Sequence, residues 1–299
     1  MRKTGLFLAS IALSATLWAE LPEKKGLDVI NRANAEAYIG FLASDALEGR
    51  EAGFRGGRIA GEYIVSNLKT MGIEPLFESY YQPFEAYNKE RQKKGRFQVH
   101  PDSIAKLKQG VHQKLSMNNI LGKIEGKNPN EYVIIGAHYD HLGFDPMLDG
   151  DRVYNGADDN ASGVSAVLQV AKAFLATGVQ PERTVIFAFW DGEEKGLLGS
   201  KYFVQTFLEM DKVKGYLNYD MIGRNKDESK PMHVVYFYTE AHPVFGDWLK
   251  NDIKKYGLNL TPDYRPWDKP VGGSDNASFA LLDIPVIWYH TDGHPDYHM

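Results

Sequence analysis

Residues 132–141 read YVIIGAHYDH, and this stretch decides how the rest of the chain is understood. Tyr132, Val133, Ile134, Ile135, Gly136 and Ala137 make a continuous apolar run, as expected of a strand covered on both faces. Immediately beyond it stand His138, Tyr139, Asp140 and His141. The pattern recurs downstream. A second apolar strand, 184–190, is followed by Asp191, Gly192, Glu193 and Glu194, and a third, within 213–221, ends in Asn218, Tyr219 and Asp220. Strands at 234–238 and 285–289 follow, the last leading into His290, His294, Asp296 and His298. Helical spacing fills 161–176, 200–210 and 243–256, and two earlier helices are expected at 32–43 and 56–71. Strands alternating with helices predict an α/β fold, an open, mostly parallel (mixed) twisted sheet with helices on both faces.

In such sheets ligands bind at the carboxyl ends of the strands. Here acids and imidazoles occupy four of those ends, and the loop after the first strand adds Asn155-Gly156-Ala157-Asp158-Asp159-Asn160-Ala161-Ser162-Gly163. Each motif alone has a bland reading: a surface His-x-Asp pair, a solvated Glu-Glu turn, or a helix N-cap where Asp and Asn are favoured. Together they give His, Asp, Glu, Asp and His at successive strand ends. Such groups repel when brought together unless cations neutralise them. Carboxylates with two imidazoles and no thiolate suit zinc, with manganese or cobalt as substitutes, rather than calcium. A pair of ions needs a bridging carboxylate, and together they polarise a carbonyl and activate water near neutral pH.

Composition frames this chemistry. The chain has 299 residues, 43% hydrophobic and 24% charged, enough for a core that folds without disulfide or structural metal. Its net charge of −5 gives nucleic acid no general attraction. It has no cysteine, which excludes disulfides and a lipoprotein anchor. Arg2 and Lys3 precede an apolar run from Gly5 to Leu17, with Ala19 suited to be the last residue before cleavage. Residues 1–19 therefore read as a signal peptide, too short to span a bilayer, which needs about 20 apolar residues. Its removal takes two basic residues and shifts the charge from −5 to −7. The expectation is an exported protein, periplasmic or secreted, with no membrane attachment after cleavage. Residues 20–299 read as one domain, within which the Lys-, Gln- and Arg-rich stretch 84–114 is an insertion or lid. Oligomeric state is not legible.

From about Leu42 onward the chain resembles the co-catalytic dizinc aminopeptidases of metallopeptidase family twenty-eight, of the secreted bacterial type. The resemblance is carried by Gly136-Ala137-His138-Tyr139-Asp140, the 155–163 loop, Asp191 to Ser200, Asn218-Tyr219-Asp220-Met221, Ser274-Asp275 and His294 to His298. It implies a zinc-exopeptidase-like fold with two zinc ions, acting on peptide substrates to release amino-terminal residues. On matching positions it implies that Asp158 bridges the ions, that His138 and Asp220 complete one site, and that Glu194 and His298 complete the other. It also implies Glu193 as general base and Asp140 as the carboxylate orienting His138. Asn276 stands where the family commonly has His. A carboxypeptidase or glutaminyl cyclase on the same scaffold, or a non-catalytic binding domain, are the alternative readings. Trp267, Tyr264 and Phe279 are candidates for an apolar substrate pocket, or for the core.

Overall fold

The computed structural model describes residues 21–89, 96–267 and 272–298, so the signal-peptide reading of 1–19 lies outside the described residues. The strands are β1 (Glu74–Pro75), β2 (Tyr81–Lys89), β3 (His112–Ile124), β4 (Asn128–His138), β5 (Gly143–Phe144), β6 (Val153–Tyr154), β7 (Arg183–Trp190), β8 (Val213–Tyr219), β9 (His233–Tyr238), β10 (Thr261–Pro266) and β11 (Val286–His290). The helices are α1 (Pro22–Asp28), α2 (Arg32–Leu42), α3 (Arg55–Met71), α4 (Pro101–Leu107), α5 (Gly163–Ala176), α6 (Leu198–Thr206), α7 (Val244–Lys255) and α8 (Asn276–Ala280). Nine strands form one sheet in the order β1-β3-β7-β4-β8-β11-β9-β10, with β2 also on β3; β5 and β6 make a separate hairpin. Strands β7, β4, β8 and β11 run parallel, while β3 and β9 join antiparallel at either flank. The fold class is the one expected.

Alternation within the buried strands builds two cores. Ile135 and Ala137 of β4 and Val185, Phe187 and Phe189 of β7 meet α3 and α5 on one face. Ile134, Ile186, Ala188 and Trp190 point the other way, toward Phe203 of α6 and Phe279 of α8. A period of two on strands covered on both sides needs apolar residues throughout, which is why the runs are continuous. Helix α3 docks through Ala60, Gly61, Ile64, Val65 and Leu68, one helical stripe, and stops at Gly72 in the left-handed conformation. Helix α6, expected at 200–210, ends at Thr206: Phe207 turns extended and stacks its ring on Phe203 at 4.9 Å.

The 84–114 stretch departs from the sequence reading at its ends. Residues 84–89 continue β2 and 112–114 belong to β3, paired from Tyr81↔Ile120 to Lys89↔His112. Phe84, Ala86 and Val99 pack with Ala52, Met117 and Leu198 in a small core of their own. The sheet edge thus grows an arm, and Arg96 and Phe97 at its inner side lie beside Glu193 and Glu194.

At Gly136 the sheet meets the second core with no room to spare. An added Cβ would lie 2.8 Å from both Trp190 Nε1 and Tyr216 Oη, which are hydrogen-bonded to each other at 2.8 Å. Gly136→Ala is expected to lower stability by about 1–3 kcal/mol, as overpacking does. Gly110→Ala, with nothing within 4 Å, should stay within about 0.5 kcal/mol of wild type. Urea unfolding of the metal-free chain checks both.

Candidate metal centre

Because β4, β7, β8 and β11 are parallel neighbours, their carboxyl ends lie side by side and carry His138, Glu193, Asp220 and His298 to one place. His138 is 1% exposed. Its Nε2 lies 3.2 Å from Asp159 Oδ1 and 3.5 Å from Asp220 Oδ1. The other oxygen of Asp159 lies 3.1 Å from His298 Nε2, which is 3.3 Å from Glu194 Oε2. His141 Nδ1 sits 2.7 Å from Glu194 Oε1 and 3.8 Å from Asp159 Oδ2. Two ligand-like groups result, His138–Asp159–Asp220 and His141–Asp159–Glu194, in each of which the donor atoms lie within 4.8 Å of one another.

Asp158, the carboxylate expected between the two groups, is placed elsewhere. Its Oδ1 accepts from Gly223 N at 2.6 Å and its Oδ2 faces His294 Nε2 at 3.1 Å. Asp159 is the carboxylate common to both groups. The reason is local: the loop leaves helical geometry at Asp159 (φ −101°, ψ 96°), which sends adjacent side chains to different sides. Asn160 then fixes the loop, donating to Tyr219 O at 2.9 Å and accepting from Gly163 N at 2.9 Å.

Asp140 faces both His138 and the Glu-Glu turn. Its carboxylate is 3.7 Å from His138 Nδ1, beyond hydrogen-bond reach, and the nearer atom is its own carbonyl at 3.3 Å. The carboxylate instead accepts from Glu193 N at 3.0 Å and Glu194 N at 3.3 Å, aiming the Glu-Glu turn.

Two residues in the site were not singled out from sequence. His141 was visible three positions past His138 but had no partner until the fold supplied Glu194. Arg50, in a loop that carried no motif, is 1% exposed. Its Nε donates to Tyr139 O at 2.9 Å, and its Nη atoms to Asn155 O at 2.6 Å, Gly156 O at 2.9 Å and Leu42 O. It ties the end of β4 to the loop bearing Asp159. Burial lowers its pKa to about 10 against the raising effect of Asp159, Asp140 and Glu194, so it stays charged at neutral pH.

The donor set fits zinc. It is all nitrogen and oxygen with an open side, as catalytic zinc takes. Asp220 Oδ1 is buried without a hydrogen-bond partner among the described residues, although buried polar atoms are normally satisfied. The electrostatics agree. Burial opposes charge on His138, yet Asp220, Glu193, Asp140 and Asp159 hold its pKa well above the usual imidazole range. Hydrogen bonds donated to Asp159 and Glu194 push His298 up to about 10. Both rings sit in a field that demands positive charge. Burial raises Glu193 well above the carboxylate range, against His138 and with help from Asp275, Asp220 and Glu194.

Beside His138 and Glu193 lies a cavity of about 210 Å³ with Met221, Trp288, His290 and Tyr297 in its wall. Phe279 is instead fully buried in the second core, and Tyr264 packs with Tyr236 at 5.8 Å. Trp267 lies against Phe237 at 6.1 Å and is otherwise exposed, and none of the three aromatics named from sequence lines this cavity. Among the described residues no helix is long and apolar enough to cross a membrane.

The sequence profile of peptidase family M28 matches residues 119–299, more than half of the chain. Leupeptin-inactivating enzyme 1 of Streptomyces exfoliatus is 34% identical over 170 residues, covering 56% of this chain and 34% of that protein. An aminopeptidase of Pseudomonas aeruginosa is 38% identical over 115 residues, 38% of this chain and 19% of its own length. The chain thus spans about a third or less of these curated relatives. Among solved structures, an aminopeptidase from Aneurinibacillus sp. strain AM-1 superposes with a TM-score of 0.67, covering 93% of this chain and 89% of that one. At 17% identity it is a likeness of fold.

Zinc titration separates the two neighbouring aspartates. Asp159→Asn should lose affinity at both groups, whereas Asp158→Asn should bind nearly as wild type. Arg50→Lys, which cannot reproduce the four-carbonyl fork, should weaken zinc binding by about 10- to 100-fold in chelator competition, the range for groups that position ligands.

Proposed function

This chain belongs to peptidase family M28, and from that premise we propose that it is an exported aminopeptidase, hydrolysing peptides from their amino terminus with two zinc ions. The observation that carries this reading is the Asp159 carboxylate, with one oxygen toward His138 and the other toward His298. A carboxylate shared in this way is what a co-catalytic pair requires. Bound zinc would supply Lewis acidity, polarising the scissile carbonyl and acidifying water.

The protein's residues do the rest. His138, Asp159 and Asp220 would hold one ion, and Asp159, Glu194 and His298 the other, with His141 against Glu194. Glu193 is the general base: it takes a proton from the attacking water and delivers it to the leaving amine. Burial and acidic neighbours raise its proton affinity, which suits a group that must both accept and return a proton. Asp140 keeps that carboxylate aimed through the backbone N–H groups of Glu193 and Glu194. The free α-amine of the substrate is a cation entering a cluster of acids, so its charge is part of recognition. The cavity walled by Met221, Trp288 and Tyr297 takes an apolar first side chain. A one-zinc cyclase would leave the second group without a task.

Glu193→Gln should keep both ions and lose about 10²- to 10⁴-fold in kcat, the usual share of general-base action. Glu194→Gln should lose metal as well as rate. A metal-poor Glu193→Gln beside a metal-replete Glu194→Gln would invert the two roles. Acetylating the amine of a leucine anilide should abolish its turnover. Equal rates on free and acetylated forms would reject the aminopeptidase reading.

A further inference from the structure

Glu193 divides two cavities of different character. On one side is the 210 Å³ cavity against His138, Asp159 and Asp220, sized for one side chain. On the other an open cavity of about 570 Å³ runs past Glu193 and Glu194 to Arg96, Phe97, Lys195 and Lys201. Three cations therefore gather at one mouth of the site in a chain whose net charge is −5. Their commitments differ. Lys195 is paired with Glu51 at 2.8 Å. Lys201 spends one of its three hydrogens on Gly196 O at 2.8 Å. The Arg96 guanidinium has no hydrogen bond or ion pair among the described residues.

The position of Glu193 says which part of a substrate lies where, an argument that rests on the aminopeptidase reading above. The group that returns a proton to the leaving amine must touch that amine. With the first side chain in the smaller cavity, the residue carrying the amine is directed over Glu193 into the larger one. We propose that this basic cavity binds a carboxylate on the leaving residue. That carboxylate is either the α-carboxylate of a dipeptide or the side-chain carboxylate of an acidic second residue. Arg96 offers the planar fork that matches a carboxylate, and Lys201 a second charge. Phe97 supplies an apolar wall for the stem between amine and carboxylate. Glu193 and Glu194 repel the same carboxylate from the reacting end, so attraction at one end and repulsion at the other fix the direction of entry. Arg96 and Phe97 come from the β2–β3 arm, which gives that arm a part in substrate choice.

The test compares kcat/KM for the zinc-loaded full chain on leucine p-nitroanilide and on two matched pairs, Leu-Gly with Leu-Gly-amide and Leu-Glu-amide with Leu-Gln-amide. The wild type should favour the carboxylate member of at least one pair by about 10-fold or more, mainly through KM, as loss of a charged hydrogen-bond partner does. A preference confined to the first pair assigns the cavity to dipeptides, and one confined to the second to acidic second residues. The Arg96→Gln/Lys201→Gln double variant should erase the preference while cleaving the anilide, which has no carboxylate, at the wild-type rate. Matched rates within both pairs, or a preference that survives in the double variant, would overturn the proposal. Failure of the wild type to cleave the anilide and all four peptides would instead overturn the aminopeptidase reading on which it stands.

Discussion

Like charges brought together inside a protein are the constraint on which this structure turns. Asp140, Asp159, Asp220 and Asp275 are buried, and Glu193 and Glu194 stand beside them. Parallel neighbouring strands that each end in an acid cannot keep those acids apart. The repulsion is met with what lies at hand: backbone N–H groups on Asp140 and Asp158, imidazoles on Asp159 and Glu194, and one buried guanidinium. Where these run out, burial raises the acid's hold on its proton, as at Asp275, pushed up to about 7. Bound cations would complete the neutralisation, so that metal binding and folding of this edge would draw on the same free energy.

Arg50 shows how a fixed charge organises such a site. A guanidinium cannot be deprotonated at working pH and must be solvated by acceptors, so carbonyls from three separate segments converge on it. Those segments are the end of α2, the end of β4 and the 155–156 turn. The residue that satisfies a buried charge thereby sets the distance between His138 and Asp159, although it touches neither.

Much of this was legible in the sequence, and the limits are physical. The buried parallel strands announced themselves because burial on both faces demands an apolar residue at every position, as in Ile134, Ile135 and Gly136. The lengthy β3 did not, since its outer half faces solvent and alternates with polar residues, as Gln113, Lys114 and Ser116 show. The strand ends pointed to the edge where these side chains gather, but pattern could not choose between Asp158 and Asp159. Both are acidic and adjacent, and the choice depends on one pair of backbone angles. Arg50 was illegible for a related reason: its partners are main-chain oxygens, which leave no mark on residue type.

The sheet's outermost strands have a consequence for life at high concentration. Among the described residues strand β10 pairs with β9 on one side only, and its sequence is Thr261-Pro262-Asp263-Tyr264-Arg265-Pro266. Two prolines offer no N–H to a newcomer, and the charges between them resist being stacked on a copy of themselves. Strand β2, paired with β3 along its length and bridged at Tyr87 to Gln98, carries Pro83, Glu85 and Lys89. An unprotected strand is a template on which other chains can polymerise, and these residues are the usual means of blocking it. The two outer strands thus resist extension of the sheet by a strand from another chain.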